Sequence, residues 1–444
     1  MIKATLIYNA RLLDETIDSP GAVLVVDGKI RAVFQGYFTS QETASSLAQA
    51  VLTEDGCDLN CKLELYDAKS LTLTPAFIDM HVHLRYPGLT QKEDLSSGLH
   101  AAAAGGFGTI IAMPNTKPVV SSMKMALDIE KEAEQIGLTH VFQSVSITKD
   151  FGDENVSHLQ ELDKSYIPVI SEDGKDVLKA DVMLNAMKIA ASKNIIVACH
   201  CEDESLGKQA KPYREQKTVE SLKKANEYLA LAEDTATIRN LMLANQAGCR
   251  IHICHVSTAN AIDAIKAAKE EFYIPHMVTC EATPHHIALS VNDEQNFYNI
   301  VNPPIRSEED RLYLIHALRE GLVDVISTDH APHTAQDKET GSPGFTGLEV
   351  SFAVCNTVLV KENKFNPRRL SQLMSATPAK LLGLQKGLLK SGYDADLTLF
   401  DPDEEWVVDS SQFFSKGKFT PFDGKTLSGK VHVLFIDGRK VFER

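Results

Sequence analysis

Both ends of the chain alternate apolar and polar residues in short runs, the period of half-buried β-strands. The N-terminal runs lie within residues 1–74 and the C-terminal runs within 380–444. Asp-Gly pairs at 27–28 and 437–438 separate such runs, as hairpin turns do. The pattern predicts one small β-sandwich domain built from both termini, with another domain inserted between them. Residues 39–62 are predicted to be a polar excursion within the sandwich.

The middle of the chain, residues 75–379, alternates strand-like apolar runs with amphipathic helical patterns such as residues 181–194. The strand-like runs lie at residues 75–83, 107–113, 140–147, 167–172, 195–200, 250–256, 276–282 and 322–328. Eight strands that alternate with helices are typical of an α/β fold, the (β/α)8 or TIM barrel. A barrel takes about 250 residues, so 444 residues accommodate the barrel and the sandwich.

Composition and charge narrow the possible partners. The chain is 43% hydrophobic and 24% charged, as ordinary globular proteins are, and its formal net charge is −15. Lysine and arginine are scattered without a basic run, which excludes nucleic acid and anionic membrane surfaces as expected partners. No apolar run approaches the ~18 residues of a membrane span, and the N-terminus lacks a signal-peptide core. We therefore expect a cytoplasmic protein.

The eight cysteines are sparse, and several lie inside apolar strand-like runs, which suits reduced, buried thiols. Cys57 and Cys61 have a metal-like spacing, but no second pair completes a zinc knuckle. We interpret them as loop residues.

Residues of the types that bind metals follow the predicted barrel strands. Barrel enzymes place their catalytic groups at the C-terminal ends of the strands. These positions hold His81, His83, Asn115, Glu172, Asp173, His200, His255, Asp329, His330 and His333. Core histidines scattered at random would not cluster in this way. The pattern therefore predicts a metal site in the mouth of the barrel.

Strand alternation refines the choice of ligands. His81, His83 and Arg85 lie two residues apart and share one face of the first strand, so two imidazoles can converge on one ion. On the sixth strand the same rule favours His255, nearer the strand end, as the ligand. It predicts that His252 belongs to the outer packing.

Four histidines and one or two carboxylates suit zinc, either one ion or a pair that shares a hydroxide. A metal-bound water has a pKa near 7 and supplies hydroxide at neutral pH. Asp329, the inward carboxylate of the eighth strand, can accept its proton and deliver it to a leaving nitrogen. His330 is expected to point away from Asp329, and His333 lies beyond the strand. This chemistry predicts hydrolysis of an amide-like bond.

Seven motifs in order resemble those of the dihydroorotases, in the long bacterial class I form, within the amidohydrolase superfamily. The motifs are HVHLRYPG, GGFGTIIAMPNTKPV, CHCED, HICHVST, CEATPHH, NPPIR and STDHAPH, and they cover most of residues 75–350. The later stretch GYDADLTLFDP resembles the segment in which the chain of this family re-enters its β-domain.

The resemblance implies a metal centre of one or two zinc ions, two being expected. Its ligands would be His81, His83, Asp173, His200, His255 and Asp329. Asp173 and a hydroxide would bridge the ions, where many superfamily members use a carboxylated lysine. Glu172 is the alternative bridge, and Lys175 as a carboxylated lysine is a remote third.

The reaction that the resemblance implies is the zinc-dependent, reversible cyclisation of N-carbamoyl-L-aspartate to (S)-dihydroorotate in de novo pyrimidine (UMP) biosynthesis. Asp329 would be the catalytic proton carrier. Arg85, Asn115, Asn302 and His333 would bind the substrate, and Arg85 can hold a carboxylate in a forked pair. Both asparagines adjoin proline, so turn chemistry is their alternative role.

Two other functions remain open. One is a different cyclic amidase, such as hydantoinase (dihydropyrimidinase) or allantoinase. The other is a non-catalytic dihydroorotase-like partner of aspartate carbamoyltransferase. We expect a small-molecule substrate, a homodimer and possible association with that transcarbamoylase. Tyr86 stands where the family often has glutamate, and residues 333–345 are a candidate closing loop.

Overall fold

The structure is a computed structural model that describes residues 2–38, 40–54, 61–216, 218–271, 277–292 and 300–444. The strands are β1 (Ile2–Leu13), β2 (Asp18–Val26), β3 (Lys29–Gln35), β4 (Cys61–Asp67), β5 (Thr72–Pro75), β6 (Phe77–Val82), β7 (Phe107–Ala112), β8 (His140–Gln143), β9 (Val145–Ser146), β10 (Val169–Ser171), β11 (Ile196–Cys199), β12 (Ile251–Ile253), β13 (Val278–Ala282), β14 (Val325–Ile326), β15 (Leu397–Val407), β16 (Thr426–Ile436) and β17 (Arg439–Glu443).

The helices alternate with the central strands. They are α1 (Gln41–Glu54), α2 (Leu95–Ala104), α3 (Met123–Ile136), α4 (Ala180–Lys193), α5 (Glu204–Gln216), α6 (Val219–Ala247), α7 (Ala259–Glu271), α8 (Pro284–Ala288), α9 (Glu308–Glu320), α10 (Ala335–Glu339), α11 (Ser351–Cys355), α12 (Pro367–Ser371) and α13 (Thr377–Leu382). Within the described ranges, no helix has both the length and the apolar character that crossing a membrane requires.

The two termini share one sheet, in the order β17-β16-β15-β5-β1-β2-β3, and β4 pairs in parallel with the start of β1. Val23 and Val25 of β2 lie in the same apolar core as Val433 and Phe435 of β16. Strands from opposite ends of the chain therefore bury one common face. The predicted domain boundaries, at residues 74/75 and 379/380, stay predictions.

Helix α1 covers the other face of this sheet. Ala44, Ala48 and Leu52 lie on one side of the helix and pack with Leu6 and Leu24 of β1 and β2. The excursion predicted at residues 39–62 therefore contains a packed helix. Cys57 lies outside the described residues, so the interpretation of its pair with Cys61 stays a prediction.

The central strands form a closed parallel barrel. One sheet runs β6-β7-β8 and the other runs β14-β13-β12-β11-β10-β9, and β8 and β9 are consecutive in the chain. A parallel bridge between Val82 and His330, with His83 N–H donating to His330 O at 2.8 Å, joins the first strand to the last. The predicted (β/α)8 barrel with a β-sandwich domain from both termini is confirmed.

The strand faces differ from the prediction at β12. Apolar residues from five barrel strands, together with Cys254 just after β12, form an interior cluster that includes Ile78, Met80, Ile111, Val169, Ile196, Ala198 and Val325. Ile251 and Ile253 instead pack outward with the helices. His252 alternates with them and faces the interior, so its prediction as outer packing is wrong. The reason is that β12 ends at Ile253 and His255 has φ 34°, so strand alternation does not extend to His255.

Candidate active site

All six predicted metal ligands are buried in one cluster at the C-terminal ends of the barrel strands. They are His81, His83, Asp173, His200, His255 and Asp329. The backbone leaves the strand conformation at this cluster, since Arg85, His255 and Asp329 have φ of 57°, 34° and 47°. Positive φ is rare outside glycine and concentrates at functional sites, where surrounding contacts hold it in place.

His81 and His83 are oriented by acceptors on the far side of their rings. His81 Nδ1 lies 2.8 Å from Glu281 Oε1, and His83 Nδ1 lies 2.9 Å from Asn115 Oδ1. Both partners accept, so both Nδ1 atoms carry the hydrogen. Each Nε2 then faces the centre of the cluster, which is how ligand histidines are commonly oriented.

Asp173 lies among all four histidines. Its Oδ1 lies 3.2 Å from His81 Nε2, 3.4 Å from His200 Nδ1 and 3.8 Å from His255 Nε2. Its Oδ2 lies 3.3 Å from His83 Nε2. Burial raises the pKa of this carboxyl, but the charge of His81 and the other imidazoles close to it outweigh burial and hold the pKa well below its usual range. The group is therefore a carboxylate anion among the four histidines.

The alternative bridging residues point elsewhere. Glu172 accepts hydrogen bonds from the Thr148 amide at 2.9 Å and from the Thr148 hydroxyl. Burial raises the pKa of Glu172 to about 7, the bonds from Thr148 opposing it. The Lys175 ammonium donates to Asp153 Oδ2 at 3.0 Å. Of the three candidates, Asp173 is the one that the fold turns toward the histidines.

The donor set fits a divalent metal. Among the described residues, His81 Nε2, Asp173 Oδ1 and His255 Nδ1 are buried without a hydrogen-bond partner. Two triads, one of His81, His83 and Asp329 and one of His81, Asp173 and His255, have ligand atoms within 4.8 Å of one another. Imidazole and carboxylate donors in such triads are typical of zinc and related ions.

Glu281 on β13 was not predicted. It is fully buried and lies 3.0 Å from His252 Nε2, as well as contacting His81, and it accepts from the His255 amide at 3.3 Å. Cys254 joins His81 and Glu281 in a further group of potential ligand atoms. The sequence signal for Glu281 was its position inside the buried CEATPHH run, because a buried carboxylate requires a charged or hydrogen-bonding partner.

Arg85 and His333 meet at the mouth of the barrel. Arg85 Nε donates to Pro332 O at 3.2 Å, and one of its terminal nitrogens lies 3.2 Å from His333 Nε2. Asn115, by contrast, lies against the cluster of predicted metal ligands, where its Nδ2 donates to Asp173 Oδ2 at 3.3 Å. The predicted substrate residues therefore divide between two sides of the site.

Asn302 lies on Glu202, a residue that was also not predicted. Asn302 Nδ2 donates to Glu202 Oε2 at 3.1 Å, which leaves its buried Oδ1 without a partner in the described part of the chain. Glu202 Oε2 lies 3.8 Å from His200 Nε2. A cavity of about 330 Å³, lined in part by Glu202, Arg214 and Ile300, opens beside it. Glu202 therefore borders this space and also lies close to His200.

Tyr86 has a contact of its own. Its hydroxyl donates to Glu132 Oε2 of α3 at 2.6 Å, and its ring packs against the outer core of the barrel. The residue that departs from the dihydroorotase pattern is thus directed away from Arg85. Glu93, also not predicted, accepts from the Ser415 hydroxyl and the Lys416 amide, which joins the C-terminal segment to the mouth of the barrel.

Comparison with known proteins agrees with this site. The model of the amidohydrolase family matches residues 72–441. The chain belongs to the amidohydrolase family. Membership implies a metal cofactor, and the buried histidine and aspartate triads of this amidohydrolase fit one.

Individual relatives cover most of the chain or nearly all of it. This amidohydrolase is 39% identical to a dihydroorotase of Clostridium botulinum over 440 residues, 99% of both chains. It is 38% identical to a dihydroorotase of Lactobacillus johnsonii over 397 residues, 88% of this chain and 92% of the relative. The solved L-hydantoinase (dihydropyrimidinase) of Arthrobacter aurescens superposes with a TM-score of 0.85 at 26% identity, covering 100% of this chain and 96% of that one.

Proposed function

We propose that this amidohydrolase is a dihydroorotase, which cyclises N-carbamoyl-L-aspartate to (S)-dihydroorotate in pyrimidine biosynthesis and catalyses the reverse hydrolysis. The observation that carries the proposal is the contact of Arg85 with His333 beside a buried cluster of metal-binding residues. A buried guanidinium at this place gives a carboxylated ring a partner. The 39% identity to a dihydroorotase along 99% of both chains supports the same conclusion.

The metal in this proposal is zinc, with two ions expected. His81, His83 and Asp329 would hold one ion and His200 with His255 the other. Asp173 is favoured as the bridge because its two oxygens lie 3.2–3.4 Å from nitrogens of three histidines. When bound, zinc would supply Lewis acidity to the amide carbonyl and to the attacking water.

Asp329 is proposed as the proton carrier. Its Oδ1 lies 3.1 Å from His83 Nε2. In hydrolysis it takes the proton of the attacking water and delivers it to the ring nitrogen as the C–N bond breaks. In cyclisation it takes the proton from the carbamoyl nitrogen as the C–N bond forms, and it gives that proton to the departing hydroxyl of the protonated side-chain carboxyl, which leaves as water. Arg85, with His333, holds the carboxylate that does not react.

The rival cyclic amidases share the fold, as the L-hydantoinase superposition indicates. They act on rings without this carboxylate, so Arg85 would be buried with no anionic group of the substrate to neutralise it. The non-catalytic alternative is disfavoured because all six predicted ligands are present and clustered. A homodimer, association with aspartate carbamoyltransferase and a cytoplasmic location remain parts of the proposal.

The experiment measures turnover by the purified, zinc-loaded protein, both alone and with the transcarbamoylase. Light scattering of the same protein measures its molecular mass and so tests the proposed dimer. Dihydroorotate should be hydrolysed and carbamoyl aspartate cyclised, while 5,6-dihydrouracil and allantoin should be poor substrates. Faster hydrolysis of either neutral ring would assign a different cyclic amidase. No turnover under any of these conditions would favour the non-catalytic role.

A further inference from the structure

Lys92 connects two loops at the mouth of the barrel. It lies between β6 and α2 and reaches the loop after β14, where its Nζ is 3.3 Å from His333 Nδ1 and 3.2 Å from Asp337 Oδ1. Asp337 is itself held, because its other oxygen accepts from the Thr334 amide and hydroxyl at the start of α10. The ammonium group is therefore fixed against the imidazole.

These contacts specify the position of the imidazole hydrogen. An ammonium group only donates, so His333 Nδ1 must accept and the hydrogen must lie on Nε2. The opposite nitrogen agrees, since His333 Nε2 lies 2.8 Å from Pro343 O, which only accepts. Asp337 Oδ2 lies 3.8 Å from Nδ1, beyond hydrogen-bond distance. Lys92 and Pro343 O thus require the same tautomer, and in it the 3.2 Å approach of the Arg85 terminal nitrogen to Nε2 is a contact between two donors without a hydrogen bond.

The charge state follows from the surroundings. His333 is buried between two cations, Arg85 and Lys92. Burial, followed by the charges of Arg85 and Lys92, lowers the pKa of His333 to about 3. At neutral pH the ring is neutral, and its one N–H lies beside the Arg85 guanidinium.

We propose that Lys92 is a positioning residue that holds His333 as a neutral donor with its hydrogen on Nε2, so that His333 and Arg85 present adjacent N–H groups to one carboxylate of the substrate. The inference rests on the proposed function. The Nε2–H exchanges Pro343 O for the carboxylate when the substrate binds. The other tautomer would direct a lone pair at the carboxylate and repel it.

The test uses Lys92→Met, which keeps most of the chain length and removes the ammonium. The KM for dihydroorotate should rise about tenfold while kcat stays within about twofold, as expected when binding alone is weakened. Lys92→Arg supplies another donor-only cation and should restore most of the affinity. Lys117→Met is the matched control. Lys117 is exposed on the neighbouring loop, and its replacement by methionine removes the same charge.

A spectroscopic readout separates positioning from simple charge attraction. In ¹⁵N-histidine NMR of the zinc-loaded protein, with His333 assigned through His333→Asn, the wild type should show the Nε2–H form and Lys92→Met a mixture of tautomers. An unchanged tautomer in Lys92→Met, or a loss in kcat with KM unchanged, would overturn the inference. If neither the wild type nor any variant turned over dihydroorotate, the proposed function would be contradicted. The tautomer measurement would still decide the role of Lys92.

Discussion

His81 Nδ1 lies 2.8 Å from Glu281 Oε1, although 200 residues separate the two in the chain. Glu281 Oε2 also accepts from His252 Nε2 at 3.0 Å, so two imidazole donors converge on one buried carboxylate. The contact turns His81 Nε2 toward Asp173 and raises the basicity of that nitrogen, as carboxylates behind ligand histidines do.

Replacing Glu281 with glutamine should weaken metal binding. The amide offers one acceptor and one donor, so one of the two histidine contacts becomes a contact between donors. We expect zinc affinity to fall by about 10–100-fold, measured by competition with a chelator. Glu130→Gln is the control, because Glu130 lies on α3 outside the site and accepts from the Gln143 backbone amide at 2.8 Å. Equal zinc affinity in both variants would contradict the role of Glu281.

Asp173→Asn and Glu172→Gln distinguish the two neighbouring acids. Asp173 lies among the histidines, whereas Glu172 is bonded to Thr148. Asp173→Asn should therefore lose zinc, and Glu172→Gln should retain it, by elemental analysis of the purified proteins. Zinc loss in Glu172→Gln with full occupancy in Asp173→Asn would assign the bridge to Glu172.

Asp329→Asn should lower kcat by roughly 1,000-fold, because an amide cannot accept the proton that the reaction must move. Circular dichroism should show an intact fold. Asp324→Asn is a matched control at the other end of the same strand, where Asp324 pairs with Lys269 at 2.6 Å. It should lower stability and leave kcat near the wild-type value. Comparable loss of turnover in both variants would indicate a structural effect.

Arg85→Met should raise the KM for dihydroorotate by roughly 100-fold, the effect of losing a charge-assisted, forked contact. Residual activity on 5,6-dihydrouracil should not change, since that ring has no carboxylate. The measurement compares the activity of the variant on the two substrates. An equal loss of activity on both rings would mean that Arg85 stabilises the site and does not bind the carboxylate.

Glu130 should make stability depend on pH. Burial raises the pKa of Glu130 to about 7 from 4.5, against a smaller effect of the Gln143 amide. The folded protein thus binds this proton more tightly than the unfolded chain, and the stabilisation is present below about pH 4.5 and lost as pH rises through about 7. Glu130→Gln keeps the bond to Gln143 and should be more stable than the wild type at about pH 8, but not at about pH 4, in urea unfolding. A difference independent of pH would contradict this assignment.

Much of the fold could be predicted because barrel strands and hairpins have a local period. The helix α1 shows the limit, since Ala44, Ala48 and Leu52 recur at every fourth residue but are separated by polar and small residues. Its packing on Leu6 and Leu24 supplies the burial that the segment alone does not indicate. His252 was misplaced because strand alternation was extended past the end of β12.

The alternation of strands and helices could be predicted from local patterns in the chain, because these patterns repeat over a few residues. The same patterns place His81, His83, Arg85 and Asp329 at strand ends. Which atoms of these residues face one another depends on the folded barrel. Thr148 holds Glu172 aside, Glu281 orients His81, and Lys92 reaches His333. Such contacts join residues 24 to 241 positions apart, and closing the barrel is what brings them within hydrogen-bond distance.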